Sequence, residues 1–154
     1  MPKQSAGILL YRIRNKTLEL FLVHPGGPFF AKKDHGAWSI PKGEFENDEE
    51  PLAAATREFK EETGMELSGE FIQLGSIKQK SGKIVYAWAV EGDIDPEKIK
   101  SNSFEIEWPP KSGKMKRFPE IDKAAWLNLN EAIVKINSGQ LALIKELEDK
   151  LENI

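Results

Sequence analysis

Glu58, Glu61 and Glu62 stand at i, i+3 and i+4 in a segment whose apolar residues recur at helical spacing. On an α-helix these three carboxylates project from neighbouring positions of one face. The grouping opposes the helix: a like-charged i,i+4 pair costs roughly 0.2–0.5 kcal/mol, and an anion near the C-terminus about 0.3–1 kcal/mol against the macrodipole. Arg57 and Lys60 offset part of this. The plain reading of three helical glutamates is a solvated acidic face. The chemical reading is a divalent-cation site, since Mg2+ takes a few carboxylate oxygens and keeps waters and phosphate oxygens besides. The segment upstream favours chemistry. In Trp38-Ser39-Ile40-Pro41-Lys42-Gly43-Glu44, Lys42 can meet a phosphate and Gly43 allows close backbone approach to an ion or ligand.

These residues need elements to hold them. Asp48 offers an N-cap, Pro51 suits a first turn and Gly64 a C′ position, which predicts a helix over about Glu49 to Glu62. Leu52, Ala55 and Phe59 give that helix an apolar stripe that docks on a sheet, with the carboxylates to one side. Gln4 to Arg14 and Thr17 to His24 read as a hairpin turning at Asn15-Lys16. Pro25-Gly26-Gly27-Pro28 opens a long loop, which Trp38 to Pro41 closes as a short edge strand. Phe71 to Gln79 and Ile84 to Val90 read as strands joined at Ser81-Gly82, and Ser103 to Trp108 as another. A basic loop, Lys111 to Arg117, precedes a short strand at Ala124 to Leu129. Asn130 caps a helix through Ile136, and Leu141, Ile144, Leu147 and Leu151 stripe a last helix to the end of the chain. Strands not each followed by a crossover helix imply α+β with largely antiparallel pairing.

The 154 residues, 40% apolar and 31% charged, suit one domain with one core, spanning 1–154. With no cysteine, thiolate metal sites, disulfides and cysteine nucleophiles are excluded. A net charge of −3 argues against a stable nucleic-acid partner or an anionic membrane held by the overall field. The apolar run Ile8 to Tyr11 is far shorter than a signal-peptide core or a membrane span, so a cytoplasmic location is expected.

Gly43, Glu49, Arg57-Glu58-Phe59, Glu61-Glu62 and Gly64-Met65 stand at the spacing of the Nudix box, G-x(5)-E-x(7)-R-E-U-x-E-E-x-G-U, where U is a bulky aliphatic. Every fixed position matches; Phe59 is aromatic where an aliphatic is usual, and Met65 is a less common apolar choice. The box covers 23 residues, and the order of strands and helices around it also resembles a Nudix domain. The resemblance implies an α/β/α sandwich around a mixed sheet and Mg2+- or Mn2+-dependent hydrolysis of a nucleoside diphosphate derivative. Carried onto the matching positions, it makes Glu58, Glu61 and Glu62 metal ligands with the Gly43 carbonyl, and makes Glu49 and Arg57 orienting residues. Water attack also needs a base within hydrogen-bond reach. Glu58 is one candidate. Glu120, six residues before Trp126 and followed by Glu131-Ala132, is the other, by resemblance to a C-terminal Nudix pattern. Glu105 and Glu107 alternate with apolar residues and read as the solvent face of a strand.

Substrate clues are fewer. Trp38 to Gly43 resembles Nudix enzymes acting on long phosphate chains, while the downstream proline or tyrosine that marks ADP-ribose or dinucleoside polyphosphate subfamilies is absent from Ser81 to Lys83. Lys42, and Lys32, Lys33 and His35 with Lys111 to Arg117, offer charge to further phosphates, the alternative being solubility. Phe29, Phe30 and Trp38 are candidates to stack on a base or to anchor the loop, and His24 and His35 lack metal-ligand spacing. The expectation is a small-molecule nucleotide substrate, an NTP or dinucleoside polyphosphate. The alternatives are a non-catalytic nucleotide sensor and an ADP-ribose or nucleotide-sugar pyrophosphatase. Oligomeric state is left open.

Overall fold

The computed structural model describes residues 3–79 and 81–152. Strands β1 (Gln4–Arg14) and β2 (Thr17–Pro25) form the predicted hairpin, with Asn15 and Lys16 both at positive φ in the tight turn between them. The chain continues through β3 (Lys42–Glu44), α1 (Pro51–Thr63), β4 (Ile72–Gln73), β5 (Ile77–Lys78) and β6 (Ile84–Glu91). It then forms a ribbon of β7 (Ser103–Glu107) and β8 (Met115–Pro119), followed by β9 (Ile121–Asn128), α2 (Leu129–Lys135) and α3 (Leu141–Glu152). Among the described residues the main sheet runs β4-β6-β1-β2-β9, with β3 on β1 and β5 on β6. The β1–β6 pair is parallel and the others antiparallel.

Alternation along β1 gives the sheet two apolar faces. Ala6, Ile8 and Leu10 pack with Phe21 and Val23 against Ala54, Ala55 and Phe59 of α1. Leu9 and Tyr11 face Leu143, Ile144 and Leu147 of α3 on the other side. Each fully buried large side chain contributes about 1.5–3 kcal/mol. The result is α+β in a three-layer arrangement, as expected.

Five local expectations are corrected. The cap of α1 is Glu50, not Asp48, because a residue before proline is driven to extended backbone, and Glu50 sits at φ −67, ψ 135. The cap of α2 is Asn128, not Asn130: its side chain accepts from Glu131 N while Glu131 reaches back, a reciprocal box. The strand expected over Phe71 to Gln79 is broken, since β6 pairs Gln73 with Trp88 but Ile77 with Val85, leaving one residue extra. Gly75 N at that bulge donates to Glu146 Oε2 of α3 at 2.6 Å. The basic loop is partly strand, because Met115 to Arg117 pair with Glu105 to Glu107. Finally, Trp38 to Pro41 is no edge strand. β1 and β2 pair only over Tyr11–Arg14 and Thr17–Leu20, and the segment enters the gap where they part. Ser39 exchanges both backbone bonds with Val23 at 2.9 Å, and Pro41 O accepts from Ile8 N at 3.1 Å. Proline lacks only a donor, so its carbonyl still serves an interior position. The last helix is described to Glu152; Asn153 and Ile154 lie outside the described residues.

Candidate active site

The wedge between β1 and β2 delivers β3 to the acidic side of α1. Gly7 makes room, since a Cβ there would stand 2.7 Å from Lys42 Cβ and from Pro41 O. Lys42 N donates to Glu62 Oε2 at 3.1 Å. At the next residue the Glu58 carboxylate lies against the Gly43 backbone so closely that a Cβ on Gly43 would overlap it. Glu58 and Glu62, one turn apart, thus straddle two consecutive residues of β3. The helix holds this position because Phe59 and Ala55 on its other face are wholly buried.

Arg57 ties the remaining acids together. Its Nε and Nη2 donate to the two Glu49 oxygens at 2.8 and 2.7 Å, a bidentate pair. Nη1 donates to Glu58 Oε1 at 3.0 Å and to Glu61 Oε2 at 3.1 Å. Hydrogen bonding to Glu49 raises the guanidinium further above its ordinary range and holds the Glu49 carboxyl below its own.

Beside β3 opens a cleft of about 170 Å3, lined by Val23, Pro25, Ser39, Ile40, Lys42, Glu62, Glu120 and Ile121. Glu120 belongs to the junction between β8 and β9, where its N donates to Asn102 O at 2.8 Å and its carbonyl accepts from Gly26 N at 2.9 Å. Its backbone is therefore fixed, while its carboxylate has no hydrogen-bond partner among the described residues. Burial pushes the Glu62 carboxyl up to about 8, opposed by the Lys42 backbone N–H and ammonium and reinforced by Glu58 and Glu120. Burial also raises Glu58, against the pull of Arg57, and lowers Lys42, helped by the neighbouring charge of Lys83. Three carboxylates and a lysine thus meet at this corner, with Glu58, Glu62 and Lys42 partly withdrawn from water and Glu120 exposed. A larger hollow of about 710 Å3 lies around Arg12, Asp93 and Trp126, away from these groups, so chemistry rather than volume marks the site.

Neither of the other two substrate candidates, Trp38 and Lys33, lines the cleft. Trp38 is 5% exposed, its indole N–H bonded to Asp34 Oδ1 at 2.7 Å and its ring edge-on to His24, so it is a core anchor with no face free for a base. Lys33 is exposed on the loop with its ammonium over the Phe30 ring, outside the cleft lining. Two residues outside the box also hold the site. Gln140, 1% exposed, accepts from Ile40 N at 3.1 Å and donates to Ser39 Oγ at 3.0 Å, fixing the cleft wall from 100 residues away. His24, fully buried, spans from Asp122 Oδ1 at 2.7 Å to Lys33 O at 2.6 Å and joins the long loop to β9.

The donors suit a hard divalent cation: they are all oxygen, partly desolvated and in mutual repulsion, which positive charge relieves. Among the described residues no three acids are already closed onto one point, because Glu58 and Glu61 turn toward Arg57.

Known proteins carry the same frame. The NUDIX domain description matches residues 1–147. The rat bis(5'-nucleosyl)-tetraphosphatase [asymmetrical] is 26% identical over 164 aligned positions, covering 99% of this chain and 92% of that protein. Nudix hydrolase 5 of Arabidopsis thaliana is 28% identical over 122 residues, but the chain spans only 35% of its length. Among solved structures, a C. elegans Ap4A hydrolase binary complex superposes with a TM-score of 0.68 at 20% identity over 99% of both chains. The NUDIX domain of Shewanella oneidensis NrtR, complexed with ADP ribose, gives 0.68 at 16% identity over 98% of this chain and 89% of that one. At such identities the structural likeness speaks for fold alone. The chain belongs to the NUDIX family and is an enzyme of its pyrophosphohydrolase class. No helix of the described residues is long and apolar enough to cross a membrane.

Proposed function

We propose that this enzyme hydrolyses a phosphoanhydride bond in a dinucleoside polyphosphate, with nucleoside triphosphates as poorer substrates, and that it requires Mg2+ or Mn2+. The observation that carries the reading is the cleft in which Lys42, Glu62 and Glu120 meet beside Glu58. The near full-length similarity to the rat tetraphosphatase supports the choice of substrate.

Glu58, Glu61 and Glu62 would hold the ion, with the Gly43 carbonyl completing the protein's share. When bound, the ion supplies positive charge that offsets the phosphate oxygens and acidifies water. Lys42 places a second positive charge at the cleft, where burial makes it act over a short distance on a phosphate rather than on solvent. Arg57 keeps Glu58 and Glu61 from swinging away, and Glu49 keeps Arg57 in plane. Glu120 takes the proton of the attacking water: its carboxylate is unbonded on a fixed backbone, whereas Glu58 already accepts from Arg57 and is pressed on Gly43. Water oxygen bonds to phosphorus, the bridging P–O bond breaks, and two nucleotides leave.

A substrate panel with Mg2+ or Mn2+, followed by turnover of the best substrate in 18O-labelled water, tests this. Label in one product phosphate, with kcat/KM highest for dinucleoside polyphosphates, is the expected result. A much higher kcat/KM for ADP-ribose or a nucleotide sugar would overturn the substrate choice, and tight binding without turnover would overturn the catalytic reading.

A further inference from the structure

Where the β7–β8 ribbon meets the long loop, large aromatic side chains reach solvent: Phe29 is 61% exposed and Phe30 37%. Phe29 is edge-on to Trp108 at 5.4 Å, and the Phe104 ring covers Gly27, where a Cβ would stand 2.8 Å from it. The ribbon register sets Ile106 opposite Lys116, and Trp108 N bonds Lys114 O at 2.9 Å, so Lys114 and Lys116 share the face of Phe104 and Trp108. The loop adds Lys32 and Lys33. None of these four lysines joins an ion pair among the described residues, although the chain as a whole is acidic at −3.

This face begins where the cleft ends. Pro119 and Glu120 finish the ribbon, Pro25 and Gly26 begin the loop, and the Gly26–Glu120 hydrogen bond joins the two at the cleft wall. Gly26 is required there, since a Cβ would overlap Pro119 O. A polyanion leaving the carboxylate corner by this wall therefore meets unpaired ammonium groups and then exposed aromatic rings. We infer that the ribbon and loop form a subsite for the far end of the substrate. The lysines take its distal phosphates, and Phe29 with Trp108 takes the second base by stacking. Aromatic stacking on a base contributes without reading its identity, so the subsite selects for a second nucleoside rather than for a particular one. The inference rests on the substrate reading above and extends it.

Two variants test it: Phe29→Ala, which removes an exposed ring, and the double variant Lys114→Glu with Lys116→Glu. With Mg2+ present, titration calorimetry measures binding of a methylene-bridged diadenosine tetraphosphate and of β,γ-methylene ATP. Both variants should weaken the dinucleoside ligand at least about tenfold more than the mononucleotide. Equal losses for the two ligands, or no loss, would overturn the subsite. Turnover of diadenosine tetraphosphate by the parent enzyme is scored separately. A parent that binds the analogue through these residues but does not cleave the substrate supports the subsite and refutes the substrate reading. A parent that cleaves it but binds the analogue no better than the mononucleotide does the reverse.

Discussion

The corner of α1 and β3 and the ribbon–loop lobe are both densely charged, and they are built in opposite ways. In the corner, like charges are drawn together, partly buried and held by Arg57, by Lys42 N and by the packing of Glu58 on Gly43. In the lobe, like charges are exposed and spread among aromatic rings that few contacts restrain. Bond-breaking needs fields fixed before the substrate arrives, so repulsion is tolerated and stored. Recognition of a flexible polyanion gains from exposed charge at little folding cost. The two regions meet at the Pro25–Gly26 and Pro119–Glu120 junction.

The strongest test of this contrast is Glu62→Gln. Loss of its charge should lower turnover by at least about two orders of magnitude while the metal-free protein is no less stable than the parent. Near-parental turnover at saturating substrate would place the chemistry elsewhere.

Next in size is a pH effect. The Glu62 carboxyl at about 8 in the fold titrates near 4.5 when unfolded, so the folded state binds more protons between those values. Its contribution is fully present below pH 4.5 and lost as pH rises through 8. In chelator, urea midpoints should therefore fall between pH 5 and 8, by up to a few kcal/mol in unfolding free energy. Glu62→Gln should flatten that slope, and an identical slope in the variant removes Glu62 as its source.

A pair of glycines sharpens the comparison further. Gly43→Ala forces the Glu58 carboxylate away and should destabilise by about 1–3 kcal/mol, with turnover falling at least about tenfold. Gly113→Ala on the ribbon turn meets no neighbouring atom, only its positive φ of 75°, and should destabilise by about 1–2 kcal/mol with turnover of a triphosphate nearly unchanged. Equal effects on catalysis would erase the distinction between rigid corner and exposed lobe. The smallest effect is expected for Phe29→Ala, whose thermal midpoint should correspond to a change within about 0.5 kcal/mol because the ring is mostly solvated. A larger loss would make Phe29 a structural anchor.

Much of this was readable along the chain where neighbours in sequence are neighbours in space. The spacing Glu58, Glu61, Glu62 places carboxylates by helical geometry alone. Asn15-Lys16 turns the hairpin, and Gly64 ends α1 at φ 77 by the left-handed backbone that glycine takes easily. Errors of one or two residues, such as Asp48 for Glu50 and Asn130 for Asn128, arose where two polar residues competed for one cap.

What the chain could not disclose is which distant segments meet. Helical and strand periodicities report a residue's face but not the element opposite it. Trp38 reads equally as a stacking face or a loop anchor until β2, α2 and His24 close around it, and Pro41 reads as an edge until the hairpin parts to admit it. Residue types and short-range spacing determined the acidic helix, its turn signals and the family resemblance, because those depend on backbone geometry over a few residues. Tertiary structure alone decided that Glu120 faces Glu62, that Gln140 braces Ile40, and that Glu62 is desolvated enough to hold its proton to about 8. Burial and long-range charge are properties of the packed chain, and no local pattern encodes them.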